Sequence, residues 1–168
     1  MKASLRPVIV ASVLLVSSTA AADLVWPALY LEIRLFSWWA ITIGLAAEYL
    51  LVRWLFQLPI QRALLATIAA NATSSIVGLV LIPLAGIVWE LFPGSIYMHV
   101  LKWGTFNPIT WAATFVLACL VNTVIEALVY KKAFKLDVYR REFFWIVAAN
   151  AVSVGVAFVT LFMVPVEA

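Results

Sequence analysis

The sequence predicts an all-α integral membrane protein: a four-helix transmembrane bundle built from two tandem helical hairpins, preceded by a signal peptide or an extra N-terminal helix. Three observations carry this. Of the 168 residues, 66% are hydrophobic and only 11% charged, with a mean hydropathy of +1.09, whereas a soluble domain carries about a quarter charged residues. Apolar stretches recur that are each long enough for the roughly twenty helical residues needed to cross the hydrocarbon. The chain also repeats itself: Glu48 opens E-Y-L-L-V-R-W-L-F, followed by Arg62 and by A-A-N-A-T-S around Asn71, and Glu126 opens E-A-L-V-Y-K-K-A-F, followed by Arg141 and by A-A-N-A-V-S around Asn150.

The first 22 residues form one segment. Lys2 and Arg6 precede an apolar run from Pro7 to Val16, and Ala20 and Ala22 fit the small-x-small pattern for cleavage before Asp23, as in a secretory signal. An uncleaved first transmembrane helix is the rival reading. Both place residue 23 outside the cytoplasm.

Four spans follow, near residues 33–56, 63–89, 108–130 and 143–165, so that 23–92 and 108–168 each make one hairpin. Gln57 to Arg62, containing Pro59, is the tight turn of the first hairpin, and the strongly basic stretch Lys131 to Glu142 connects the two helices of the second. Between the hairpins, residues 93–107 form the long outer loop, in which S-I-Y-M-H-V-L-K-W suits a short interfacial helix capped by Ser95.

Seven basic residues (Arg53, Arg62, Lys131, Lys132, Lys135, Arg140 and Arg141) fall on one side of this layout, and only Arg34 and Lys102 on the other. The positive-inside rule therefore puts the two hairpin turns in the cytoplasm. The expected location is the bacterial inner membrane, with both mature termini periplasmic. Trp26, Trp38, Trp39, Trp89, Trp103 and Trp111 lie towards the outer face and Trp54 and Trp145 near the inner one, as in aromatic belts. Two hairpins of one orientation are related by a pseudo-twofold along the membrane normal. Ala66, Ala69, Ala70 and Gly78, with Ala148, Ala151 and Gly155, are small enough to permit close helix contact.

The polar residues inside these spans form the candidate site. Glu48 and Glu126 each stand five residues before a basic residue, so both carboxyls lie about 7 Å inside the boundary. Asn71 and Asn150 each follow an arginine by nine residues, about 13 Å deep. Side chains lean towards a helix N-terminus, so in an antiparallel hairpin the Glu and the Asn converge. Ser74 and Ser153 share the asparagines' helical face, and Asn122 stands one turn before Glu126. Its counterpart in the first copy is Gly44, so the site is not fully symmetric. An oxygen-only ring suits a proton or a hard cation, and two facing carboxylates do not both ionise without a cation between them. The bland alternative is that these groups are interhelical hydrogen-bond glue worth about 0.6–2 kcal/mol, or that the glutamates snorkel to Arg53 or Arg62.

Other residues carry less. Cys119, the sole cysteine, excludes an internal disulfide and a CxxC motif. His99, the sole histidine, lacks partners for a metal and is expected at the exposed interface; Glu90 is expected to be solvated at the headgroups. Asn71-Ala72-Thr73 matches a glycosylation pattern that its depth in hydrocarbon rules out. P-loop, GxGxxG, HExxH and GxSxG motifs are missing from the sequence, and no cofactor, metal centre or catalytic residue is expected. The basic residues cluster beside apolar spans, where lipid rather than nucleic acid is the partner. The expected function is conduction or coupling of a proton or cation through the Glu/Asn core. The alternative is a non-catalytic accessory subunit or assembly factor of a larger complex, and either role favours an oligomer or larger assembly.

Overall fold

The computed structural model describes residues 37–163 except 105, together with Pro27, Leu31, Arg34 and Leu35. The segment 1–22 assigned above to a signal or extra helix lies outside the described residues. Among the described residues there are helices and no strands, and four helices are long and apolar enough to cross a membrane.

Helix α1 (Trp38–Phe56) begins where the Ser37 hydroxyl accepts a hydrogen bond from the Ala40 N–H, and it ends at Gln57, which takes a left-handed conformation (φ 49°). Pro59, extended and without an N–H to leave unpaired, then starts α2 (Ile60–Trp89). The turn is therefore shorter than the sequence suggested, and Arg62 already lies within α2. At the far end of α2 the chain kinks through Glu90–Gly94, where Phe92 is extended (φ −170°, ψ 120°). It then forms the short α3 (Ser95–Leu101), whose Tyr97 ring stacks on Trp89. Ser95 does not cap α3. It is the helix's first residue, and its hydroxyl donates to the Leu91 carbonyl at 2.9 Å. Asn107 accepts from the Thr110 N–H at 2.9 Å and starts α4 (Pro108–Lys132), with Pro108 in the first turn where a missing N–H costs nothing. The final helix, α5 (Arg140–Met163), begins where Glu142 reaches back to the Tyr139 N–H at 3.1 Å, half of a capping box.

Each long helix buries a stripe of residues spaced mostly four apart. On α1 it is Ala40, Gly44, Glu48 and Val52; on α2, Ala66, Ala70, Ser74, Gly78, Ile82 and Gly86; on α4, Thr110, Thr114, Ala118, Glu126 and Tyr130. On α5 the fully buried positions are Ile146, Ala149, Asn150, Val154 and Ala157. The small residues expected to carry contact on that helix are displaced: Ala148 is exposed and Ala151 and Gly155 are half-buried, because the stripe containing Asn150 faces inward instead. The most extensive pairings are α2 with α4 and α1 with α5, ahead of α4 with α5 and α1 with α2. Small residues on α2 and α4 allow the close approach from which van der Waals packing in lipid gains most.

Two apolar clusters bracket the middle of the bundle. Leu31, Ala40, Ile82, Ala118, Cys119, Val154 and Ala157 pack at one end, so Cys119 serves there as a small apolar residue. At the end carrying the basic turns, Val52, Leu58, Ala63, Ala66, Ala70, Tyr130, Leu136 and Ile146 form a plug. Trp54 and Trp145 meet edge to face near that end, 5.7 Å between centroids.

Glu90 departs from expectation. It is 1% exposed, and neither carboxylate oxygen has a hydrogen-bond partner among the described residues. The kink that follows it folds the chain back over the end of α2 and takes the carboxyl out of the solvated position that its place in the sequence suggests. His99 is exposed, as expected, and its Nδ1 lies 2.8 Å from the Ser95 carbonyl of its own helix.

Candidate ion site

The inward stripes place Glu48 on α1 and Glu126 on α4 in the core, 2% and 1% exposed. Their surroundings follow a reciprocal rule. Asn71 Nδ2 donates to Glu48 Oε2, and Asn150 Nδ2 donates to Glu126 Oε2 at 2.7 Å. The serines cross over: Ser74 Oγ donates to Glu126 Oε1 at 3.1 Å, and Ser153 Oγ donates to Glu48 Oε1 at 3.0 Å. Each carboxyl therefore receives the amide from the next long helix in the chain and the hydroxyl from the other half of the sequence. All four carboxyl oxygens are engaged.

The donors are themselves fixed. Asn71 Nδ2 also donates to the Thr67 carbonyl at 3.0 Å, and Asn150 Nδ2 to the Ile146 carbonyl at 3.2 Å, one turn back in each case. Ser74 is within 3.1 Å of the Asn71 carbonyl, and Ser153 within 3.4 Å of the Ala149 carbonyl. The local amide bonds hold both asparagines in the rotamers that reach the carboxyls, which is how a hydrogen-bonding shell preorganises a site, and each serine proton has a carboxyl and a carbonyl to choose between.

The two glutamates are close enough to interact electrostatically. Among the described residues no Lys or Arg pairs with either one, and the sole salt bridge joins Arg141 to Glu142. Snorkelling does not occur: Arg62 Nη2 instead donates to the Phe134 carbonyl at 2.8 Å, bracing the two basic turns against each other, and Arg53 is exposed. Nor do the described residues supply a group of three His, Cys, Asp or Glu side chains. The donor set is two carboxyls with hydroxyls and amides, which suits a proton or a hard cation.

Beside the carboxyls lies a cavity of about 260 Å³. Glu48, Asn71, Glu126, Asn150 and Ser153 form its polar end, and Leu35, Ala40 and Ile82 lie towards its apolar end. Its exposed lining residues, Ile41, Ile68, Ala72 and Ser75, all belong to α1 and α2, the least tightly paired neighbours. The exposed part of the lining thus lies along the crevice between α1 and α2. Liquid water occupies about 30 Å³ per molecule, so the space accommodates several waters or a partly hydrated ion.

Six of the seven residues singled out from the sequence join the hydrogen-bonded ring. Asn122 does not bond to Glu126. It lines the cavity against α2, with its Oδ1 3.5 Å from where a Cβ on Gly78 would lie. Its counterpart Gly44 serves the packing instead. A Cβ there would stand 2.6 Å from Ser153 Oγ, so only glycine lets α1 approach α5 closely enough for Ser153 to reach Glu48.

Three buried hydroxyls were missed from the sequence. Thr67, Thr123 and Tyr130 are at most 1% exposed, and none has a hydrogen-bond partner among the described residues. Thr42 and Thr73, by contrast, donate to carbonyls four residues back. The Tyr130 hydroxyl lies beside Thr67 without hydrogen-bonding geometry and within electrostatic reach of both glutamates. Their positions could have flagged them: Tyr130 is one turn beyond Glu126, and Thr67 one turn before Asn71. Comparing the two copies hides them, because the matching residues are the apolar Val52, Ile146 and Leu45. Removing an unsatisfied hydroxyl relieves a desolvation penalty. Tyr130→Phe is therefore expected to leave stability unchanged or raise it by up to about 1 kcal/mol. Reversible unfolding in mixed micelles measures this, and a loss of stability would mean that the hydroxyl has a partner.

Comparison with protein-family models, with curated proteins and with solved structures gives no match.

Proposed function

We propose that this chain binds a proton or a hard cation between Glu48 and Glu126 and conducts it or couples its movement to another process. The observation that carries the reading is the reciprocal ring, in which two adjacent buried carboxyls have every oxygen hydrogen-bonded and, among the described residues, no cationic side chain balances them. Ionisable groups inside a membrane are costly and by default functional. A packing role would be served by a closed core. The cavity beside the carboxyls therefore favours the ion-site reading over use as an accessory subunit.

The sequence repeat and the crossed serines support two tandem hairpins related by a pseudo-twofold along the membrane normal. Concentration of the basic residues at one end supports an inner-membrane orientation with that end cytoplasmic and both mature termini periplasmic. The proposed role is not enzymatic, with Ser74 and Ser153 serving as hydrogen-bond partners of the two carboxyls rather than as nucleophiles. One copy is small, and assembly with further copies or within a larger membrane complex fits the reading.

The test is the thermal unfolding midpoint of detergent-purified protein across pH and a panel of Li⁺, Na⁺, K⁺, Mg²⁺ and Ca²⁺. A species bound by the folded state raises the midpoint by mass action. Wild type is expected to respond to pH or to one of the cations, and Glu48→Gln and Glu126→Gln to lose that response while staying folded. A wild type indifferent to pH and to every cation would overturn the proposal.

A further inference from the structure

A second recess lies outside the glutamate site, between the last turns of α4 and the first turns of α5 at the basic end. It is a groove of about 690 Å³ whose wall is Val124, Ala127, Leu128, Phe143 and Phe144, with Lys131 and Arg140 at its rim. Val124 is seven residues before Lys131, so the apolar wall descends about 10 Å from the charged rim towards the middle of the membrane.

We infer that this groove binds a single anionic phospholipid, with its phosphate held by Lys131 and Arg140 and the upper part of an acyl chain against Phe143, Phe144 and Leu128. Charge complementarity commits the site to that occupant. Both rim residues are exposed cations, and among the described residues neither has an acidic partner: Glu142 is taken up by Arg141 and by the Tyr139 N–H, and Asp137 of the connector is exposed and forms no salt bridge. A basic rim above an apolar shaft at the edge of the hydrocarbon matches the two halves of one phospholipid. Inorganic phosphate would use the rim and leave the wall empty.

The groove also distinguishes the two halves of the chain. Its connector, residues 133–139, is longer than the three-residue turn Gln57–Pro59, and it supplies Val138 and Tyr139 to the lining. Where the second half has Phe143 and Phe144, the first has Leu64 and Leu65. The site therefore belongs to the second half rather than to basic turns in general.

The full chain, delipidated in detergent, is titrated with dioleoyl phosphatidylglycerol and with dioleoyl phosphatidylcholine, and bound lipid is counted by native mass spectrometry. Wild type is expected to bind one phosphatidylglycerol about tenfold or more tightly than phosphatidylcholine. The double variant Lys131→Gln/Arg140→Gln should lose that preference. Arg53→Gln, which removes one cation from the other basic turn, should keep it, and Lys131→Arg should keep it too. Equal binding of the two lipids by wild type would overturn the inference, as would a preference that survives in the double variant. Loss of the preference in Arg53→Gln would show a diffuse field instead of a site, and displacement of the lipid by millimolar inorganic phosphate would show that the apolar wall plays no part. None of these outcomes depends on whether Glu48 and Glu126 bind an ion.

Discussion

Glu126→Ala is expected to lower the stability of the bundle by about 2–5 kcal/mol, while Glu126→Gln costs less than about 1 kcal/mol. The alanine leaves one amide hydrogen of the buried Asn150 without an acceptor, a desolvation penalty of about 1–3 kcal/mol; it also ends the Ser74 bond, whose proton can turn to the Asn71 carbonyl, and opens a cavity in the core. Glutamine keeps the shape and can satisfy both partners. Its carbonyl faces Asn150 Nδ2, and its amide donates to Ser74 Oγ, whose own proton goes to the Asn71 carbonyl 3.1 Å away. The same exchange works at Glu48, where Ser153 can turn its proton to the Ala149 carbonyl. Unfolding by denaturing detergent in mixed micelles gives both numbers. Equal losses for Ala and Gln would mean that the negative charge, not the hydrogen-bonded shape, holds the helices together.

Gly44→Ala is the second large effect. The added methyl would lie 2.6 Å from Ser153 Oγ and 3.0 Å from its Cβ, so the Ser153 hydroxyl must turn away from Glu48 and its Cβ must give by a few tenths of an ångström. Overpacking costs about 1–3 kcal/mol, with the lost hydrogen bond in addition. Adding Ser153→Gly removes both clashing atoms and leaves only the Ser153 Cα at 3.7 Å, an ordinary contact. The double variant is therefore expected to be more stable than Gly44→Ala alone, although it lacks the Ser153 bond. A double-mutant cycle of the kind that isolates coupled neighbours measures the interaction. Additive losses would show that the close approach at Gly44 is not what limits this packing.

Neither effect concerns the hydrophobicity that makes this a membrane protein. The class and the number of spans follow from long apolar runs, because in lipid the backbone must satisfy its own hydrogen bonds and helices are what such runs form. Asn71 and Asn150, with Ser74 and Ser153, were legible because intramembrane polar groups are rare and because the chain presents them twice. Glu90 was misjudged: distance from the span centre predicts solvation only where the chain continues outward, and here it kinks at Phe92. Thr67, Thr123 and Tyr130 were overlooked because each occurs in only one copy.

The sequence by itself determined the apolar spans and the repeated Glu, Asn and Ser positions within them, since both follow from composition and from counting along helices at a fixed rise per residue. Tertiary structure alone decided the partners. That Ser74 serves Glu126 and Ser153 serves Glu48, that Asn122 stands apart from the ring, and that the exposed part of the cavity lining lies between α1 and α2 all depend on helix rotation and pairing. Those are set by van der Waals fit between small-residue stripes. Lipid is as apolar as the helix faces themselves, so hydrophobic patterning, which orients helices in water, leaves their rotation in a membrane unspecified.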